Sequence, residues 1–158
     1  MLPFEEQFLR KAWLAAVNAH HIWPEMAACE AALESGYGRS VLAAQDNNLF
    51  GMKQHAHPIY GTVSLPTREF LSNEWVPCEA NWVRYPDWQA CFADRMATLH
   101  RLAPLYSHYR AALAAPDKES YINQVSLTWS TDPKRAEKVL AIFNAITGDW
   151  SATDSSSP

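Results

Sequence analysis

The stretch Glu34-Ser-Gly-Tyr-Gly-Arg-Ser40, followed by Asn47-Asn-Leu-Phe-Gly-Met-Lys53, is the most informative part of this sequence. It places one carboxylate at the end of an apolar helical run, shortly before two glycines. Because an apolar surface solvates the charged form of a carboxyl group poorly, we expect the pKa of Glu34 to be raised. A catalytic acid needs this property, since it must still hold its proton near neutral pH. An isolated Glu-x-Gly motif more often indicates a solvated helix end, but the two blocks together favour a catalyst.

The composition is that of a globular protein, with 48% hydrophobic and 19% charged residues, which excludes extended disorder. From the length of 158 residues we expect a single domain over residues 1–150 and a disordered polar tail over residues 151–158. The net charge of −4 argues against a nucleic-acid partner. No apolar run approaches the roughly 20 residues that span a bilayer, so no membrane span is expected.

Apolar spacing predicts helices on both sides of the Glu34 block. Residues 4–18 follow the 3.6-residue period of a helix that packs on one face. The next segment is apolar almost all round, which predicts a buried central helix that starts near Pro24 and ends at Gly36. Further helices are predicted over residues 40–45, 87–102, 118–128 and from Asp132 onward.

A β-hairpin is predicted between the helices over residues 40–45 and 87–102. Residues 63–70 and 74–84 alternate between apolar and polar side chains, and residues 71–73 lie between them as a turn. Pro66 and Pro77 restrict these strands to sheet edges or bulges, because proline has no backbone N–H to donate.

Six blocks of the sequence occur in an order that is typical of one enzyme family. They are Ala27-Ala-Cys-Glu-Ala-Ala-Leu-Glu-Ser-Gly-Tyr-Gly-Arg-Ser40, Leu42-Ala43, Asn47-Asn-Leu-Phe-Gly-Met-Lys53, Thr67-Arg-Glu-Phe70, Trp82-Val-Arg-Tyr-Pro-Asp-Trp88 and Trp129-Ser-Thr-Asp-Pro133. With these blocks the chain resembles the bacterial glucosaminidase domains of autolysins and flagellar peptidoglycan hydrolases, glycoside hydrolase family seventy-three. The resemblance covers roughly residues 10 to 147, nearly the whole chain. Its first blocks are shared in part with lytic transglycosylases, whereas the Thr-x-Glu-aromatic and Thr-Asp-Pro blocks separate the two groups.

This resemblance implies an α+β fold that is mainly α, namely a lysozyme-like helical domain with a small β-hairpin lobe forming one wall of a cleft. It also implies a peptidoglycan hydrolase, an endo-β-N-acetylglucosaminidase that cuts the glycan strand after N-acetylglucosamine. The partner is then the peptidoglycan glycan strand, and no cofactor is expected. We expect a monomer.

Two carboxylates are candidates for the chemistry, because glycoside hydrolysis needs an acid and usually a second carboxylate as base or nucleophile. Glu34 is the candidate acid. Glu30, one helical turn earlier, is its rival, but it lies inside the apolar run rather than at the helix end. The family pattern points to Glu69, on the predicted hairpin, as the second group, with an exposed strand glutamate as the alternative. Whether the anomeric configuration is retained or inverted stays open.

Several side chains near these carboxylates are candidates for substrate binding. Asn47 and Asn48 either bond sugar groups or close the turn, and we expect one of each, with Asn48 assigned to substrate. Aromatic rings stack on pyranose faces, although we expect at least half of such residues to be plain core. The family usually has tyrosine at position 129, and an indole N–H cannot accept a proton in its place. The candidate substrate-binding residues are Tyr37, Asn48, Phe50, Gly51, Lys53, Tyr60, Tyr85, Trp129 and Asp132.

Alternative functions stay open. One is a lytic transglycosylase of the same fold, in which a single acid forms an anhydro-muramyl end. Another is a catalytically silent glycan-binding or flagellar assembly module, which Trp129 and the altered loop after Lys53 keep open. A Ser-His-Asp hydrolase is disfavoured, because no Gly-x-Ser-x-Gly elbow is present.

The remaining sequence signals concern cysteine, histidine and location. A Cys78–Cys91 bridge is one possibility, whereas Cys29 is expected in the core. His20 with His21, and His55 with His57, are pairs without a third ligand at suitable spacing, so no metal is expected. The acidic first six residues are not a secretory signal. The location is therefore open, and the family resemblance implies the cell wall or periplasm, or release by phage or cell lysis.

Overall fold

The computed structural model describes residues 1–55, 59–146 and 148–150, with the backbone only for residue 69. This part of the chain forms seven α-helices and one two-stranded antiparallel sheet. The α+β, mainly α, fold class expected from the sequence is confirmed. In chain order the elements are α1 (Pro3–Asn18), α2 (Pro24–Ser35), α3 (Val41–Asp46), β1 (Thr62–Leu71), β2 (Glu74–Val83), α4 (Trp88–Leu102), α5 (Ser107–Leu113), α6 (Lys118–Trp129) and α7 (Arg135–Ala145).

Helix α2 is the buried centre of the fold, as its apolar sequence predicts. Every residue from Met26 to Ala32 is buried, and α1 and α7 pack against the helix. Pro24 occupies its first turn, where a missing N–H costs nothing. Gly36 ends it in the left-handed conformation, with φ 57°, and donates its N–H to the Ala32 carbonyl. The end of α2 is therefore set by local sequence.

The turn after α2 packs tightly on α1. Gly38 has φ 78°, and a Cβ atom added there would lie 2.9 Å from the ring of Phe8. The Ser35 hydroxyl accepts the Gly38 N–H at 2.8 Å and donates to the Ala31 carbonyl at 2.6 Å. Glycine is therefore required at position 38 for both space and backbone geometry, and the turn fixes where the residues at the end of α2 point.

The hairpin forms at the predicted place. Strand β1 pairs with β2 in a register that sets Phe70 opposite Trp75, and the turn residues Ser72 and Asn73 have φ of 50° and 64°. Two consecutive positive φ values are the signature of the type I′ turn that matches strand twist. Both strands are edges, which accommodates the prolines at positions 66 and 77.

The two faces of the hairpin differ in exposure. On β1, Val63, Leu65 and Thr67 are half-buried, as are their partners Trp82, Ala80 and Cys78 on β2. The alternate β1 positions, 64, 66, 68 and 70, are exposed.

The second half of the chain matches the predicted helices, with two differences. The side chains of Asp87 and Asp117 cap α4 and α6, as their positions indicate. Helix α5 was not predicted, because it has only seven residues and no side-chain cap. Helix α7 begins at Arg135 rather than Asp132, since Oδ1 of Asp132 accepts the Lys134 N–H and closes a turn ahead of the helix.

The three cysteines are free, so the possible Cys78–Cys91 bridge does not form. Cys91 is buried on α4, where its sulfur accepts the Leu49 N–H at 3.4 Å, while Cys78 lies on the hairpin. Cys29 is in the core, as expected. The polar tail predicted over residues 151–158 lies outside the described residues. None of the helices described here has the length and apolarity to cross a membrane.

Candidate active site

Glu34 opens onto a pocket of about 290 Å³ at the end of α2. The pocket walls come from the end of α2, the loop after α3, and the corner between α6 and α7. The Glu34 side chain is 18% exposed, so it is largely withdrawn from water but still reachable from the pocket. The lining residues are Leu33, Glu34, Phe50, Trp129, Ser130, Asp132, Arg135 and Lys138.

Both carboxylate oxygens of Glu34 accept hydrogen bonds. Oε1 accepts from Nε of Arg135 at 3.1 Å and also from Nη2 of the same side chain. Oε2 accepts from the indole Nε1 of Trp129 at 3.2 Å. Burial raises the pKa of Glu34, and the Arg135 charge and its hydrogen bonds oppose that rise without cancelling it. A carboxyl group with a raised pKa is the expected property of an acid catalyst.

Glu30 has the opposite character. Its side chain is fully buried and accepts from Arg95 at 2.6 Å, from Arg135 at 2.7 Å and from the Tyr121 hydroxyl at 2.7 Å. Burial alone would raise its pKa, but the two arginine charges and the hydrogen bonds lower it to about 2. Glu30 is therefore ionised near neutral pH and has no proton to donate, which removes it as the rival acid.

Arg95 links the buried charges to the aromatic wall of the pocket. It is fully buried, and its guanidinium carbon lies 4.7 Å from the ring centre of Phe50 and 4.2 Å from that of Trp129. A guanidinium group over aromatic faces is a favourable cation–π arrangement, stronger when desolvated. The ring of Trp129 is thus held on one side by Arg95, while its N–H bonds Glu34.

Sequence reasoning missed Arg95 and Arg135, the two arginines of the site. Arg95 carries a signal that could have revealed it, because it falls on the apolar stripe of α4 with Cys91 and Leu99. A charge on an apolar stripe requires a buried partner of opposite sign, and Glu30 is the acidic residue within an apolar run. Arg135 carries no comparable signal, since the first turn of α7 has no run of apolar neighbours.

Three of the predicted substrate-binding residues line the pocket with Glu34. Phe50 and Trp129 form an edge-to-face pair with ring centres 6.2 Å apart. Asp132 lies at the rim, where its Oδ2 accepts from Nζ of Lys138 at 2.6 Å. That ion pair and the hydrogen bond from the Lys134 N–H lower the pKa of Asp132, which is therefore an ionised group.

Asn48 and Tyr85 do not fit their expected roles. Asn48 is 1% exposed, and its amide donates to the carbonyls of Met52 and Val83, both at 2.9 Å, so it ties the turn to β2. Asn47 likewise donates to the Tyr85 carbonyl, so both asparagines are structural. Tyr85 is 2% exposed and donates to Asp94 at 2.5 Å, which leaves its ring no free face for a sugar.

The other predicted binding residues are not among those that line the pocket with Glu34. Tyr37 is half-buried, with its ring edge-on to Phe4 and Phe8 on α1. Tyr60 packs edge-on against Tyr85, with ring centres 5.1 Å apart. Gly51 and Lys53 lie on the chain segment between Phe50 and the hairpin. Gly51 has φ 62°, and the backbone of Lys53 forms an isolated antiparallel β-bridge with Trp82 of β2.

The hairpin position of Glu69 is set by the register, which pairs it with Val76. Arg84, which follows the end of β2, bonds Asp46 through Nε at 2.9 Å.

The histidine pairs were also considered as metal ligands. His21 is buried, its Nδ1 lies 2.7 Å from the Ile22 carbonyl, and burial and the Arg95 charge lower its pKa to about 4. His57 lies outside the described residues. Among residues 1–55, 59–146 and 148–150, no group of three or more His, Cys, Asp or Glu side chains is arranged to hold a metal ion.

Known proteins resemble this chain in both sequence and fold. An alignment of 136 positions with peptidoglycan hydrolase FlgJ of Vibrio parahaemolyticus has 31% identity and covers 83% of this chain and 43% of FlgJ. An alignment of 125 positions with exo-glucosaminidase LytG of Bacillus subtilis has 29% identity and covers 78% of this chain and 44% of LytG. The chain thus spans less than half the length of either relative.

Solved structures show the same fold. The catalytic domain of the autolysin Auto from Listeria monocytogenes superposes with a TM-score of 0.78 at 24% identity, covering 91% of this chain and 85% of that one. A glycoside hydrolase domain of Salmonella typhimurium FlgJ superposes with a TM-score of 0.69 at 24% identity, covering 89% and 95%. A family model described as mannosyl-glycoprotein endo-beta-N-acetylglucosaminidase matches residues 10–148. Because that match spans most of the 158 residues, the chain belongs to the glucosaminidase family.

Proposed function

We propose that this chain is a peptidoglycan hydrolase, an endo-β-N-acetylglucosaminidase in which Glu34 is the general acid. The observation that carries the proposal is the placement of Glu34, a largely desolvated carboxyl group that opens onto an aromatic-lined pocket. The names of the two relatives, a peptidoglycan hydrolase and an exo-glucosaminidase, support the substrate class.

In this proposal Glu34 protonates the oxygen of the glycosidic bond that follows N-acetylglucosamine. The bond between that oxygen and the anomeric carbon breaks, and positive charge develops on the sugar ring. Water then adds to the anomeric carbon, and the proton that it loses returns to a carboxylate. Phe50 and Trp129, which line the pocket, are proposed to contact the sugar, and Asp132 at the rim to accept a hydrogen bond from a hydroxyl or amide group.

Glu69 is our proposed second carboxylate. Its support is the family pattern carried by Thr67-Arg-Glu-Phe70, together with the strand register, which pairs position 69 with Val76. Its role is to activate the attacking water or to stabilise the developing positive charge. Gly51, Lys53 and Tyr60, on the segment that leads to the hairpin, are proposed to contact the glycan between the two carboxylates, and Tyr37 to contact a more distant sugar.

A lytic transglycosylase is the second candidate function. Two carboxylates line the pocket, Glu34 and Asp132, and Asp132 is ion-paired with Lys138 at the rim. This arrangement favours a reaction that needs Glu34 alone. In such an enzyme the muramyl 6-hydroxyl attacks the anomeric carbon in place of water, which leaves an anhydro end.

Product analysis of digested peptidoglycan tests the proposal. We expect soluble fragments that end in reducing N-acetylglucosamine, identified by mass spectrometry after borohydride reduction. Anhydro-muramyl ends would establish the transglycosylase instead. Early products of several disaccharide units indicate endo cleavage, whereas single units released from chain ends indicate exo cleavage. No products between about pH 4 and pH 8, the range in which carboxylates and histidine titrate, would favour a silent glycan-binding or assembly module.

The proposed substrate also sets where the enzyme acts. Since peptidoglycan lies outside the inner membrane, we propose that the protein works at the cell wall or in the periplasm, as a monomer. Sedimentation of the purified protein with and without peptidoglycan measures both its oligomeric state and its retention on the wall.

A further inference from the structure

Arg135 is shared between the two carboxylates of α2. Its Nη2 lies 2.7 Å from Oε2 of Glu30 and also contacts Oε1 of Glu34, while its Nε lies 3.1 Å from the same Glu34 oxygen. Its Nη1 donates to the Ser126 hydroxyl of α6 at 2.9 Å. The side chain is only 2% exposed. A planar guanidinium with this many fixed acceptors holds each of them in a defined orientation.

Trp129 is the second support of Glu34, on the other carboxylate oxygen. Its ring lies against Arg95, and Arg95 is itself held by two contacts to Glu30, at 2.6 Å and 3.2 Å. Both donors to Glu34, the guanidinium of Arg135 and the indole of Trp129, are therefore anchored through Glu30.

The charge balance of this cluster depends on Glu30. With Glu30 ionised, Arg95 and Arg135 leave one net positive charge when Glu34 is protonated and none when it is ionised. Without the Glu30 charge, these totals would be two and one, and electrostatic attraction would favour loss of the Glu34 proton. Several titratable or charged groups surround Glu34 and Glu30. They are Cys29 on α2, Cys91 and Arg95 on α4, Tyr109 on α5, Tyr121 on α6, Arg135 and Lys138 on α7, Asp132 before α7, and His21 against Arg95.

We propose that Arg135 is a positioning residue for Glu34, and that Glu30 is the buried counter-charge that allows Glu34 to keep its proton beside an arginine. The proposal rests on the proposed role of Glu34 as the acid. It assigns Glu30 a task in the reaction although Glu30 touches neither the pocket nor the substrate.

The wild-type protein tests the coupling without any measurement of activity. Carboxyl-¹³C glutamate and side-chain ¹⁵N arginine labels allow each group to be followed by NMR from about pH 3 to pH 9, across the range of carboxyl titration. We expect the Nε resonance of Arg135 to move with the same midpoint as the Glu34 carboxyl carbon, while the Glu30 carbon stays constant. An Arg135 Nε chemical shift that does not change as Glu34 titrates would overturn the proposal.

Glu30→Gln tests the counter-charge. The substitution keeps shape and removes one negative charge, and we expect the Glu34 midpoint to fall by about one pH unit or more, the scale of an adjacent charge. The alkaline limb of the kcat/KM profile should move to lower pH by the same amount. Glu137→Gln is the matched control, since it removes the same charge from an exposed site on α7 and should shift neither. An unchanged Glu34 midpoint in a folded Glu30→Gln protein would overturn the proposal.

Arg135→Lys separates the orientation of Glu34 from the charge beside it. It tests the positioning role of Arg135 even if Glu30→Gln does not fold. Lysine keeps the positive charge but lacks the planar fork, so we expect kcat to fall at least about 10-fold from loss of orientation, with KM nearly constant. Wild-type kcat in a folded Arg135→Lys protein would contradict a positioning role. The proposed function can fail independently. In that case the wild-type protein produces no reducing ends from peptidoglycan, while Arg135 and Glu34 still show the same titration midpoint by NMR.

Discussion

The indole Nε1 of Trp129 lies 3.2 Å from Oε2 of Glu34 and so connects the end of α6 to the end of α2. The family resemblance places tyrosine at this position. A phenol can both donate and accept a proton, whereas an indole N–H can only donate. In this chain, therefore, the residue at position 129 stabilises the ionised form of Glu34 and cannot take a proton from water.

Removing the indole donor should move the alkaline limit of activity to higher pH. In Trp129→Phe the ring against Arg95 is kept, but the ionised form of Glu34 loses a hydrogen bond, so the pKa of Glu34 rises. Because the acid works only while protonated, activity falls as pH increases through this pKa. The alkaline limb of kcat/KM should therefore move up by about one pH unit, the scale of one hydrogen bond to a charged group.

The matched control is Trp82→Phe, which makes the same change on β2. Its alkaline limb should coincide with that of the wild type. A Trp129→Phe limb at the wild-type position, or at lower pH, would show that the indole hydrogen bond does not stabilise the charge of Glu34.

The hairpin carboxylate gives the second test. If Glu69 activates water or stabilises the developing charge, Glu69→Gln should reduce kcat at least about 100-fold, with a melting temperature near that of the wild type. Glu79→Gln, on the exposed face of the same hairpin, is the control and should keep full activity. A small loss of activity together with a large loss of stability would instead make Glu69 a structural residue, and Glu34 would then work alone, as in a transglycosylase.

The buried network predicts how stability depends on pH. The pKa of Glu30 is lowered to about 2 in the folded state, below its ordinary value. Its contribution to stability is therefore present above the ordinary glutamate range and is lost as pH falls towards 2. Because removing one member of a buried ion pair leaves its partners with uncompensated charge, we expect Glu30→Gln to reduce the free energy of unfolding at pH 7 by about 3 kcal/mol.

Urea denaturation of both proteins at a series of pH values measures this contribution. Below the ordinary glutamate range, the difference between wild type and Glu30→Gln should narrow as pH falls towards 2. A difference that grew below that range would contradict the assignment of Glu30 as an ionised, stabilising group.

Much of the fold could be predicted from sequence because its signals are local. Pro24 and Gly36 bound the central helix, aspartates cap α4 and α6, and strand alternation marks the hairpin. The exception among the helices is α5, which is short and lacks a side-chain cap, so only its packing against α6 identifies it.

The candidate site was less accessible to sequence reasoning, because its defining contacts are long-range. Glu34 could be singled out by its place at a helix end, but Arg95 and Arg135 contact Glu30 from 65 and 105 residues away. Tyr85 and Asn48 were assigned to substrate because aromatic and amide groups suit sugars. The same groups also suit a buried hydrogen-bond network, and only the fold shows that they belong to one.

The central claim is that Glu34 supplies the proton, and Glu34→Gln tests it most directly. Glutamine keeps the shape of the side chain but has no transferable proton. We expect the rate of release of reducing ends from purified peptidoglycan to fall at least about 100-fold, with circular dichroism unchanged. The control Glu25→Gln, on the same helix and away from the pocket, should match the wild type. Release of reducing ends by Glu34→Gln at near the wild-type rate would contradict the claim.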